Sequence, residues 1–135
     1  MNLKDIMAVS GLPGLFKMVT SRNNGLLVAN IDTGKTKFCS VRKHQFTPLE
    51  TVAIYTHSDT TELKEIFGTM LSALSENPPV SVKASAEEII AYFSMILPDY
   101  DPDRVYVSDM KKVIKWFNFL NDRNMLTEDA SEEEE

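Results

Sequence analysis

The chain changes character near His57, and that change limits the folds open to it. Up to this residue, short β-branched and aromatic runs alternate with Gly, Asn and Pro turns. Beyond it, apolar residues recur at helical spacing, and the sequence ends in an acidic run. Charge divides at the same place. Seven basic and three acidic residues precede Ser58, a net of +4; seven basic and seventeen acidic residues follow, a net of −10. The overall −6 therefore covers two halves of opposite sign. These patterns predict an α+β protein: a small SH3-like β-barrel or curled antiparallel sheet over residues 1–57, a three-helix domain over 58–123 and an acidic disordered tail over 124–135.

Size and composition narrow the class. A chain of 135 residues holds one domain or two very small ones. Its 43% apolar and 25% charged residues are globular values. No run approaches the ~20 apolar residues that span a bilayer, and the start, Met1 to Asp5, has neither the basic region nor the apolar run of a secretory signal. Cys39 is the sole cysteine, so no internal disulfide can form. The expectation is a cytoplasmic protein with no membrane association.

In the first half, Asn2 to Val9 is read as a short helical turn, broken by Ser10-Gly11-Leu12-Pro13-Gly14. Strands are predicted over Leu15–Ser21, Leu26–Ile31, Thr36–Val41 and Thr51–Thr56, with a looser segment around Phe46 and Pro48. Asn24-Gly25 predicts a type I′ hairpin turn, and Asp32-Thr33-Gly34-Lys35 a second tight turn. In the second half, Asp59 with Glu62 and Ser85 with Glu88 read as capping boxes. Ser108 and Asp109 open the third helix. Leu63, Ile66, Phe67, Met70 and Leu74 mark the first apolar stripe; Ile89, Phe93, Ile96 and Leu97 the second; Met110, Val113, Phe117 and Leu120 the third.

Candidate sites are few. Asp99, Asp101 and Asp103 alternate like the start of a calcium loop, but Arg104 and Met110 occupy the positions where an EF-hand needs Gly and Glu. The better reading is a turn capped by Asp101. Gly11 to Gly14 lacks the flanking helices of a KH loop and the Lys-Ser/Thr of a phosphate loop, so it reads as a turn. Cys39, His44 and His57 lack metal-site spacing, and no nucleophile–base pattern is present, so neither a metal, a cofactor nor catalysis is expected. Lys35, Lys37, Arg42 and Lys43 cluster around the third predicted strand and are the best candidates for partner binding. A strand edge kept soluble by lysine would explain the same residues without a ligand. Alternation sets Lys37 and Phe38 on opposite faces, and Phe38 is assigned to the core. Trp116, crowded with Phe117 and Phe119 on the third helix, is a possible anchor.

Two stretches carry a family resemblance. Ser10-Gly11-Leu12-Pro13-Gly14-Leu15-Phe16-Lys17, with Asp32-Thr33-Gly34-Lys35 and Ala53-Ile54-Tyr55-Thr56, is one. Leu97 to Tyr106, followed by Ser108 to Ile114 and Trp116, is the other. Together they resemble a Bacteroidetes family of short uncharacterised proteins, domain of unknown function 5606. The resemblance implies a β-rich N-terminal and a helical C-terminal domain, and no activity, ligand or catalytic residue. The function expected is a non-enzymatic cytoplasmic binding or adaptor module for protein partners. An RNA- or ribosome-associated protein using the same basic patch is the alternative.

Overall fold

The computed structural model describes residues 3–126. Of the acidic disordered tail expected over 124–135, residues 127–135 lie outside the described residues. The architecture is α+β, with a five-stranded antiparallel sheet, a two-stranded sheet and three helices. Two compact units divide after Val52 rather than after His57.

The first unit, Leu3–Val52, holds β1 (Ile6–Val9), β2 (Phe16–Arg22), β3 (Gly25–Asn30), β4 (Thr36–Ser40) and β5 (Phe46–Pro48). Spatial order is β4-β3-β2-β1-β5, every pairing antiparallel. β4 and β5 are the two ends of this order, so the sheet is open: of the two expected forms, a barrel or a curled antiparallel sheet, the antiparallel sheet is present and no closed barrel is formed. The helical turn expected over Asn2–Val9 is instead strand β1. Asp5 takes a φ of 66°, which breaks a right-handed helix, and its carbonyl accepts the Met18 N–H at 2.8 Å. Val9, Val28 and Cys39 form a buried cluster, packed by Leu12, Phe16, Leu26 and Phe46.

Turn chemistry explains how the strands connect. The glycines at 11 and 14, with φ of 83° and 78°, let the chain reverse between β1 and β2. Between β3 and β4, the Asn30 side chain accepts the Asp32 and Thr33 N–H groups at 2.8 and 2.9 Å, and Gly34 supplies a φ of 77°. The β2–β3 hairpin differs from expectation. Arg22 pairs with Gly25, so Asn23 and Asn24 form the loop; neither they nor Gly25 has positive φ, and the turn is not type I′.

The second unit is described from Ala53 to Leu126. The strand expected over Thr51–Thr56 is divided. Leu49–Thr51 is a short 3-10 turn, while β6 (Ala53–Tyr55) pairs with β7 (Thr60–Glu62) in a separate two-stranded sheet. Asp59 therefore does not cap the first helix. It lies in the β6–β7 turn, where Thr56 and Asp59 exchange two hydrogen bonds, and Glu62 precedes α1 (Leu63–Ser72) without a side-chain cap. α2 (Ala86–Ile96) has the expected box, Ser85 Oγ accepting the Glu88 N–H at 3.2 Å and Glu88 Oε1 the Ser85 N–H at 3.2 Å. α3 (Val107–Asp122) starts one residue before Ser108, with the Asp109 carboxylate accepting the Tyr106 N–H at 2.9 Å.

Helix ends and packing follow standard physics. After α3, Asn124 adopts φ 58°, its N–H bonds the Asn121 carbonyl, and the Met125 N–H bonds the Leu120 carbonyl. This is the left-handed closure usually made by glycine. Leu126 beyond it is buried, so residues 124–126 are part of the folded unit rather than of a tail. Phe67 of α1 and Phe117 of α3 meet at 5.8 Å between ring centroids, and Phe93 of α2 meets Tyr100 edge-on at 5.5 Å. Among the described residues no helix is long and apolar enough to cross a membrane.

Candidate partner-binding surface

Four of the five candidate residues come together on β4 and its flanking turns. Lys35, Lys37, Arg42 and Lys43 are all exposed, and none forms an ion pair with another described residue. Their backbone is fixed although their side chains are free. Lys35 donates its N–H to Thr33 Oγ1 at 3.2 Å, and its carbonyl accepts the Asn30 N–H at 2.8 Å. Lys37 is directly opposite Val28. Ser40 organises the following turn: its hydroxyl accepts the Arg42 N–H, and its carbonyl accepts the Lys43 and His44 N–H groups. Four like charges on one edge create a field that self-repulsion alone would disfavour and an anionic group would relieve.

Phe38 is not a core residue: it is 44% exposed. Its register explains why. Cys39, 1% exposed, takes the inner position opposite Leu26, so Phe38 points to the other face opposite Leu27. The small buried Cys39 next to it was the signal available in the sequence. Val41, 56% exposed, adds a second apolar group near this edge. The strand thus carries Lys37 on one face and the exposed Phe38 on the other, which composition alone did not disclose.

Trp116 lies on α3 in the second unit and is half-buried. Its neighbour Phe119 is covered by the residue that follows the helix, the Arg123 guanidinium lying 3.6 Å from the ring centroid.

The second unit contains a polar recess of about 310 Å³, lined by Tyr55, the Thr56–Thr60 turn, Asp101 and Arg104. Two backbone hydrogen bonds, which together make one antiparallel bridge, hold its walls. Thr56 is bridged to Tyr100: His57 N–H donates to the Asp99 carbonyl at 3.0 Å, and Asp101 N–H donates to the Tyr55 carbonyl at 2.9 Å. Asp101 does cap a turn: Oδ1 accepts the Asp103 N–H at 2.9 Å, and its carbonyl accepts the Arg104 and Val105 N–H groups. Arg104 stacks on Tyr55 at 4.9 Å and approaches Asp101 Oδ2 at 3.6 Å. The Asp101 carboxylate is engaged by both the Asp103 N–H and the Arg104 guanidinium.

Among the described residues no three His, Cys, Asp or Glu groups gather so as to hold a metal ion. Cys39 is buried, and His44 Nδ1 lies 2.7 Å from the Ser10 carbonyl, tying the β4–β5 turn to the β1–β2 turn.

The comparisons with known proteins agree with the two-unit division. Residues 3–49 match the domain of unknown function DUF5606, and residues 52–120 match the domain of unknown function DUF6852. No curated protein matches. A protein from Bacteroides vulgatus, solved by solution NMR, has the same fold with a TM-score of 0.75 and 33% identity; the match covers 93% of this chain and 90% of that one. With a family model on each compact unit and the fold shared along nearly the whole chain, the protein belongs to the uncharacterised family that carries the DUF5606 and DUF6852 domains.

Proposed function

We propose that this protein is a non-enzymatic binding module that takes a protein partner on the cationic β4 surface of its first unit. The supporting observation is the gathering of Lys35, Lys37, Arg42 and Lys43, exposed and without acidic partners among the described residues. Such a surface steers an anionic partner during encounter and fixes its orientation. A polypeptide suits the charge balance better than nucleic acid. The residues from Ser58 onward carry a net −10, which opposes a polyphosphate with a charge on every nucleotide more strongly than a peptide with acidic residues only at some positions. Phe38 and Lys37 also face opposite sides of β4, so cation and ring do not form one platform for phosphate and base.

The test is affinity capture from the native cells, with and without nuclease, using the wild type and the Lys37→Glu/Arg42→Glu variant. Partners should survive nuclease and be lost with the variant. Capture that nuclease abolishes would make the protein an RNA-associated one.

A further inference from the structure

The edge of β4 has an open row of backbone groups whose positions follow from the register. Val41 N–H bonds the Asn24 carbonyl, and the Lys35 carbonyl bonds the Asn30 N–H. Both pairs lie on the register that matches Cys39 with Leu26 and Lys37 with Val28. In an antiparallel ladder the residues that bond one neighbour alternate with those that bond the other. Residues 35, 37, 39 and 41 therefore bond β3, and the N–H and C=O groups of Thr36 and Phe38 point away from the sheet. Those groups have no partner among the described residues, and β4 ends the strand order.

The two ends of the sheet differ. β5 is three residues long and closes on Pro48, which has no N–H to offer. β4 is five residues long, contains no proline and is flanked by cations. Proline and brevity blunt an edge against any strand. Lysine repels a second copy of itself but attracts an acidic strand.

Resting on the protein-binding reading above, we propose that the partner supplies an extended acidic segment that pairs antiparallel with β4 as a sixth strand of the sheet. The side-chain alternation of β4 specifies its chemistry. Lys35 and Lys37 share one face, and Phe38 with Leu27 occupies the other. Directly opposed residues of paired strands lie on the same face and interact. The matching segment alternates acidic residues, facing Lys35 and Lys37, with apolar residues, facing Phe38. Its hydrogen bonds to Thr36 and Phe38 come from the backbone of the apolar positions, because those residues stand directly opposite. Main-chain bonds supply affinity and the alternate side chains specificity.

A short capped peptide of alternating Glu and Val tests this on the full chain. It should bind with affinity that falls as salt rises, and Lys37→Glu/Arg42→Glu should abolish binding. N-methylation of the Val nitrogens should weaken binding about tenfold or more, while N-methylation of the Glu nitrogens is tolerated. Hydrogen exchange at the Thr36 and Phe38 amides should slow on binding. Salt-sensitive binding that is indifferent to both methylation patterns, with those amides unchanged, overturns strand addition and leaves the cationic protein-binding surface intact. Failure of the peptide to bind overturns the inference; if single-stranded RNA binds the same residues instead, the protein-binding reading falls as well. A solution dimer dissolved by Thr36→Pro assigns the edge to a second copy and also overturns the proposal.

Discussion

The ring of Phe38 lies across Gly25 on the neighbouring strand, so close that a Cβ at residue 25 would stand 2.7 Å from the ring. The same Cβ would collide with the carbonyl oxygen of Cys39. Glycine at this site is required by close approach, not by turn conformation, because its φ is not positive. The pairing also shows what the exposed ring does at home: it covers backbone that has no side chain of its own. A partner strand would cover the ring in turn.

Gly25→Ala should therefore destabilise the fold by about 1–3 kcal/mol, the range for overpacking. Removing the ring should not rescue it. Phe38→Ala clears only the mobile neighbour, and the Cys39 carbonyl is fixed by the β3–β4 ladder. Urea unfolding of the two single variants and the double variant checks this. Full recovery in Gly25→Ala/Phe38→Ala would show that the backbone approach is unimportant.

Tyr92 of α2 is 3% exposed, and its hydroxyl has no hydrogen-bond partner among the described residues. Burial disfavours the phenolate and pushes the group from 10.0 to about 12. The folded state thus keeps its proton more firmly than the unfolded state. This contribution to stability is fully present below pH 10 and lost as pH rises from 10 toward about 12. Tyr92→Phe removes an unsatisfied polar atom, so it should be neutral or stabilising by up to about 1 kcal/mol at neutral pH. It should also flatten the alkaline limb of the stability profile. Denaturant melts at neutral pH and across the alkaline range read both effects.

Helix termini give a matched pair of expectations. Ser85→Ala deletes the acceptor for the Glu88 N–H and should cost about 1 kcal/mol. At the far end of α3, Asn124 occupies the left-handed region. Asn124→Ala should cost about 1 kcal/mol, whereas Asn124→Gly should be neutral or slightly stabilising. Equal destabilisation by Ala and Gly would place the role of Asn124 in its side chain rather than its backbone. Thermal denaturation distinguishes the cases.

The Asp101 turn separates a hydrogen bond from a surface ion pair. Arg104 is 62% exposed, so its 3.6 Å contact with Asp101 should contribute little. Arg104→Ala should change stability by less than about 1 kcal/mol. Asp101→Ala also removes the acceptor for the Asp103 N–H and should cost more, about 1–2 kcal/mol. Asp101→Asn retains an acceptor oxygen and should recover most of that loss. Chemical denaturation of the three variants tests the order.

Features set by contacts a few residues apart were legible in the chain. Apolar spacing located α1, α2 and α3, Ser85 and Glu88 form the box their spacing implied, and Gly34 takes positive φ in the turn before β4. The exposure of Lys35, Lys37, Arg42 and Lys43 was legible too, since strongly hydrated charges are costly to bury unpaired. Long-range pairing settled the rest. Ile6–Val9 is too short to distinguish a turn from a strand until β2 and β5 flank it on both sides. Ala53–Tyr55 has strand character in either unit, and its pairing with Thr60–Glu62 assigns it to the second. Phe38 follows the same logic: hydrophobicity argued for burial, but a slot opposite Leu26 filled by Cys39 turned the ring outward. Strand register carries a two-residue period with no local energy to choose its phase, so the neighbours that fill each face make that choice.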